Sequence, residues 1–179
     1  MLLFAGAISA QTVDKTVEKI RAVYDEIAEK ARAAEEEDDQ GEFGELVMNE
    51  LAINKRGHQW RAVGNYVLTY KFFYRGGDSE EHLYPDELVK VRQNISSRSY
   101  YQEFLYDKSG ALIFYFQKAE NDEQVPAERR VYFSIGRAIR LIEADRKRDR
   151  LTVKDAATIK EIMQDNIKIK DIFVKSIKL

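Results

Sequence analysis

The sequence predicts an α+β domain: a long N-terminal helix packed on a twisted antiparallel sheet of five to six strands, with a C-terminal helix. Three observations predict it. Apolar residues recur at helical spacing near both ends of the chain, two-residue alternation fills the middle, and turn residues divide that middle at short intervals. The 179 residues suit one domain. Residues 1–10 read as the remnant of a secretory signal, because the apolar run Leu2–Ile8 ends in small residues at Ala10. Residues 11–179 then form the single domain, in a periplasmic or secreted location if the leader reading holds and in the cytoplasm otherwise.

Thr12 or Asp14 caps the first helix, which runs to about Ala34. Val13, Val17, Ile20, Tyr24, Ile27, Ala31 and Ala34 form a narrow stripe suited to lying on a sheet. A coiled-coil seam has the same spacing, but one that ends in alanines makes a weak zipper. The acidic run Glu35–Asp39 ends the helix, since negative charge is unfavourable at a helix C-terminus.

Leu46–Ile53 reads as a strand, and Asn54–Gly57 as a turn. Trp60–Arg75 reads as one long strand, with Tyr66, Leu68, Tyr70, Phe72 and Tyr74 on one face and Val67, Thr69, Lys71 and Phe73 on the other. Leu88–Ile95 alternates weakly. Tyr100–Tyr106 and Ala111–Lys118 flank Asp107-Lys108-Ser109-Gly110, a type I turn closed by a glycine at positive φ. The turn sets Tyr106 opposite Leu112, Phe104 opposite Phe114 and Gln102 opposite Phe116. Tyr101, Glu103 and Leu105 then share the outer face with Gln117, Tyr115 and Ile113.

A second hairpin bends at Ile135-Gly136-Arg137. A three-residue loop sets Phe133 opposite Ile139 and Val131 opposite Leu141; a two-residue loop sets Phe133 opposite Ala138 and Val131 opposite Arg140. The first buries more apolar surface and is preferred. Glu143–Arg150 reads as a charged linker. Thr152 and Asp155 form a capping box for the last helix, although from Ile167 onward the alternation with lysine fits a strand as well. One core is expected from Tyr24, Ile27, Phe72, Phe104, Phe114, Phe116, Val131 and Phe133, with the C-terminal helix over an end or edge of the sheet.

The residues exclude several chemistries. With no cysteine there is no disulfide, thiolate metal site or thiol nucleophile. The two histidines, His58 and His82, have no zinc spacing, so no metal and no cofactor is expected. Ser96, Ser97 and Ser99 lack a nucleophile-elbow pattern, and Gly76-Gly77 is a turn signal. A net charge of -2 gives no general attraction to nucleic acid. The odd-loop register gathers Arg130, Tyr132 and Arg140 on an outer face, but acidic residues balance the total charge and export argues against it, so no nucleic-acid partner is expected. No apolar run is long enough to cross a membrane.

The stretch Phe104–Leu112 resembles one unit of the tyrosine–aspartate hairpin repeats of large secreted shell proteins. Over nine residues this implies the turn chemistry alone. One helix followed by a meander also resembles the element order of cystatin-like and NTF2-like domains, and fold does not imply function.

What stands out is a sheet face rich in tyrosine. The sequence therefore predicts a non-catalytic binding or accessory module, with an unknown protein or small-molecule ligand held by Tyr101, Glu103, Tyr115 and Gln117, extended by Thr69 and Lys71. The alternative is a small hydrolase or isomerase in which Glu103, set among aromatic rings, has a raised pKa and serves as acid or base in a sheet-lined pocket.

Overall fold

The computed structural model of the chain describes residues 10–36, 45–61, 64–65, 67–76, 85–95, 100–119 and 126–177. The signal-like residues 1–9, the acidic run beyond Glu36, Tyr66, His82 and Ser96–Ser99 lie outside the described residues. In chain order the elements are α1 (Ala10–Glu36), β1 (Val47–Ile53), β2 (Gln59–Trp60), β3 (Gly64–Asn65), β4 (Leu68–Gly76), β5 (Pro85–Ile95), β6 (Tyr100–Tyr106), β7 (Leu112–Ala119), β8 (Glu128–Ser134), β9 (Arg137–Glu143), β10 (Arg146–Arg148) and α2 (Val153–Ile177).

The chain is α+β as expected, but the main sheet has eight strands where five to six were predicted. They run in the antiparallel order β1-β4-β5-β6-β7-β8-β9-β10, and β2 pairs with β3 as a separate ribbon. The predicted strand over Trp60–Arg75 is thus broken, and only Leu68–Gly76 joins the main sheet. The charged linker contains the last strand, because Ala144 and Asp145 adopt positive φ and turn Arg146–Arg148 back along β9.

One helix covers each face of the sheet. The α1 stripe of Val13, Val17, Ile20, Ile27 and Ala31 packs with Phe73, Val89, Leu105, Phe114 and Tyr132. On the other face, Ile162, Ile169 and Phe173 of α2 pack with Phe72, Val91, Phe104, Tyr115, Val131 and Leu141. The single core is therefore two cores separated by the sheet, and α2 covers a face instead of an edge. Hydroxyl and backbone N–H of Thr152 meet the Asp155 carboxylate, at 2.9 and 2.8 Å, and the helix so capped continues without a break to Ile177. Lys170 ties it to the first hairpin by donating to the Gly110 carbonyl at 2.9 Å.

A β-bulge in each hairpin sets its faces. The Asp107–Gly110 turn forms as predicted: Gly110 has φ +73°, its N–H donates to the Asp107 carbonyl at 2.8 Å, and Tyr106 opposes Leu112. The register then shifts by one, so Leu105 opposes Phe114, Phe104 opposes Tyr115 and Gln102 opposes Gln117. Ile113 is the extra residue, and beyond it every side chain of β7 changes face. Phe104 and Phe114 accordingly point to opposite sides, contrary to expectation. At the second hairpin the two-residue loop wins, with Ile135 and Gly136 both at positive φ and Phe133 opposite Ala138. A bulge at Ile139 then restores Val131 opposite Leu141. The buried pair preferred on apolar grounds is kept although the loop is shorter.

Candidate functional site

The bulge at Ile113 divides the six predicted contact residues between the two faces. Thr69 and Lys71 of β4 and Tyr101 and Glu103 of β6 lie on the α1 face, with Asn94 and Arg92 of β5 between them. Tyr115 and Gln117 lie on the α2 face and are buried. There the Tyr115 hydroxyl accepts from Gln102 Nε2 at 2.7 Å and donates to Gln117 Oε1 at 3.0 Å. Tyr100 and Arg129 also donate to Gln117 Oε1, at 3.0 and 3.2 Å. These bonds satisfy the Tyr115 hydroxyl and Gln117 Oε1 under a helix, while Gln117 Nε2 is buried without a partner, and no open tyrosine surface is left here.

On the α1 face, Glu103 is 3% exposed and sits at the centre of a charged cluster. β6 places it directly opposite Arg92 of β5, and Lys90 lies two residues along the same strand face. Arg92 Nε donates to Glu103 Oε1 at 3.2 Å, and the Tyr101 hydroxyl donates to the same oxygen. Tyr24, from α1, donates to Oε2 at 2.5 Å. Lys90 Nζ lies 3.1 Å from Oε1, at ion-pair distance but without an aligned hydrogen bond, and 4.5 Å from the centroid of the Tyr24 ring. Lys90 is fully buried.

Burial alone pushes the Glu103 carboxyl up. The Lys90 charge and the hydrogen bonds from Tyr101 and Tyr24 outweigh it, and the group is held below its ordinary value. Both tyrosine hydroxyls are raised, by burial first and then by the Glu103 charge, so they remain neutral donors. The geometry is therefore not that of the proposed acid or base. Glu103 is ionised, both its oxygens are engaged, and its proton affinity is shifted in the direction opposite to the one a general acid needs.

The cluster opens to solvent at one end. A cleft of about 260 Å³ is lined by Glu35, Thr69, Lys71, Arg92, Asn94 and Tyr101. Glu35 reaches it from the last turn of α1. Arg92 Nη1 donates to Glu35 Oε2 at 2.5 Å and Lys71 Nζ to Oε1 at 2.8 Å. Thr69, Lys71 and Tyr101 are thus brought together, with Glu103 behind Tyr101. The sequence reading missed Glu35, Lys90, Arg92 and the polar role of Tyr24. Lys90 carried a signal of its own, a charge between Val89 and Val91 in an otherwise apolar stretch.

The basic cluster of the second hairpin is covered in part, with the Arg130 side chain still 42% exposed. Tyr132 and Arg140 are buried under α1, where Arg140 bonds both oxygens of Asp149, at 2.6 and 2.7 Å, and Asp14 at 2.7 Å. Among the described residues no group of three or more His, Asp or Glu side chains is placed to hold a metal ion, and His58 is exposed on a turn. No helix of the described residues is long and apolar enough to cross a membrane. Comparison with protein-family models, with curated proteins and with solved structures finds no match to this chain.

Proposed function

We propose that this chain is a non-catalytic binding module whose ligand site is the cleft between the end of α1 and strands β4–β6, and that the ligand is a small molecule bearing a carboxylate or phosphate. The observation that carries this reading is the convergence of Lys71 and Arg92 on the two oxygens of one carboxylate, Glu35. Two cations directed at a planar anion are the chemistry of anion recognition. Thr69, Asn94 and the Tyr101 ring supply polar and flat contacts around it. A buried ion cluster behind the cleft holds Arg92 and Tyr101 in place, which reduces the ordering cost of binding. In this reading Glu35 occupies the anion position when no ligand is present.

Calorimetric titration with succinate and, separately, inorganic phosphate tests the proposal and separates the two anion types. Glu35→Gln is expected to bind at least one of them several-fold more tightly than the native chain, and Lys71→Met about tenfold or more weakly. Absence of binding to Glu35→Gln by both probes, or binding unchanged in Lys71→Met, contradicts it.

A further inference from the structure

The two edges of the main sheet differ in a way that points to a partner. The β10 edge is three residues long and carries Arg146, Lys147 and Arg148, and short length and positive charge are the usual protections of an exposed edge. β1, at the other edge, has neither. It is seven residues long, Val-Met-Asn-Glu-Leu-Ala-Ile, with no proline, lysine or arginine. Its register with β4 runs unbroken from Val47–Tyr74 to Ile53–Leu68, without a bulge to twist the edge away. Among the described residues no strand pairs with its outer side.

The exposed side chains of β1 are symmetric. Val47 and Ile53 are 42% and 36% exposed, and both lie on the α2 face, opposite Tyr74 and Leu68. They stand three residues before and three residues after Glu50. We propose that the β1 edge is a homodimer interface, in which β1 of a second copy adds antiparallel about a two-fold axis at Glu50 and joins the two sheets into one. This register sets Val47 of each copy against Ile53 of the other, and Met48 against Ala52, so that opposed side chains share a face. Strand addition supplies main-chain hydrogen bonds to a row of donors and acceptors that β4 does not use. The one unfavourable pair is Glu50 against its symmetry mate on the α1 face, where each carboxylate has Lys71 of its own chain 4.0 Å away.

The proposed contact is one seven-residue strand from each copy, so a weak dimer in the micromolar range is expected. Sedimentation equilibrium of the full chain, from low micromolar to near-millimolar concentration, tests it. The native chain is expected to shift from monomer to dimer over that range. Val47→Lys combined with Ile53→Lys is expected to remain monomeric, with its circular dichroism unchanged because both side chains are on the surface. Val47→Lys combined with Ile53→Glu sets opposite charges against each other at both ends and is expected to restore the dimer. Glu50→Gln removes the repulsion at the axis and tightens association about two- to fivefold. A native chain that stays monomeric, a double-lysine variant that still dimerises, or a lysine–glutamate variant that does not recover overturns the proposal.

Discussion

Glu103→Gln is expected to destabilise the fold by about 3–5 kcal/mol. The reason is the company the carboxylate keeps. Lys90 is fully buried and Glu103 is its nearest counter-charge, at 3.1 Å. An amide of the same shape leaves an ammonium in a low-dielectric interior facing only a neutral amide and the Tyr24 ring at close range. Burial already depresses Lys90 despite the attraction of Glu103, so losing that attraction favours the neutral amine and a lost ion pair. Arg92 is less affected, because Glu35 holds its other nitrogen. Urea unfolding at neutral pH reads the loss directly, and a change under about 1 kcal/mol would mean that water already reaches the cluster. Replacing both charges with apolar groups, Lys90→Met with Glu103→Leu, is expected to recover only part of the loss, since it removes the orphaned ammonium but leaves the Tyr24 and Tyr101 hydroxyls without their acceptor. The same logic separates stability from function: the double variant folds but loses the support behind Arg92 and Tyr101, and with it the anion affinity of the cleft.

Phe104→Ala and Phe114→Ala are each expected to cost about 3–5 kcal/mol. How the losses combine is the more informative result. The Phe104 ring meets Tyr115 at 5.1 Å between centroids on the α2 face, while Phe114 meets Tyr24 and Tyr132, at 5.1 and 5.0 Å, on the α1 face. Because the sheet lies between them, the losses at Phe104 and Phe114 are expected to add within about 0.5 kcal/mol. The Phe104–Tyr115 cycle is expected to show coupling of about 0.5–1.5 kcal/mol, from a T-shaped ring pair. A coupled Phe104–Phe114 pair with an additive Phe104–Tyr115 pair would restore the register that the hairpin turn alone implies and remove the two-core arrangement.

α1, the first part of α2 and the faces of β4 are legible in the sequence, because each carries a clear apolar period and α2 has its capping box, whereas from Ile167 onward the alternation with lysine leaves helix and strand both open. The bulges are not. Leu112–Phe116 is apolar or aromatic at every position, so no polar residue marks which side chains face which way, and one extra residue at Ile113 changes the faces without a change in composition. The bulge at Ile139 is hidden for a different reason, because Arg140 is buried by its ion pairs although its charge suggests an outer face. β10 is hidden because its turn uses Ala144 and Asp145 at positive φ where glycine or asparagine is the usual signal. Four of the six predicted contact residues stay together. Thr69 and Lys71 share a face by strand period, as do Tyr101 and Glu103, and strand pairing joins the two sets. Tyr115 and Gln117 lie beyond the bulge and are lost from it. Lys90, Arg92 and Glu35 enter only through the pairing of β5 with β6 and the docking of α1, neither of which a local pattern specifies.

The ionised, fully engaged Glu103 carboxylate is the centre of this account, and its titration in the folded chain by carbon-detected NMR of the side-chain carboxyl tests it most directly. A folded-state pKa below the unfolded value means that Glu103 contributes stability above the unfolded value and loses it as pH falls through the folded one. The account predicts a carboxyl resonance that stays in its ionised position through the ordinary glutamate range and shifts only at more acidic pH, as the fold is lost. A resonance that titrates above the ordinary glutamate value in the intact fold would contradict it and would return Glu103 to the role of an acid or base.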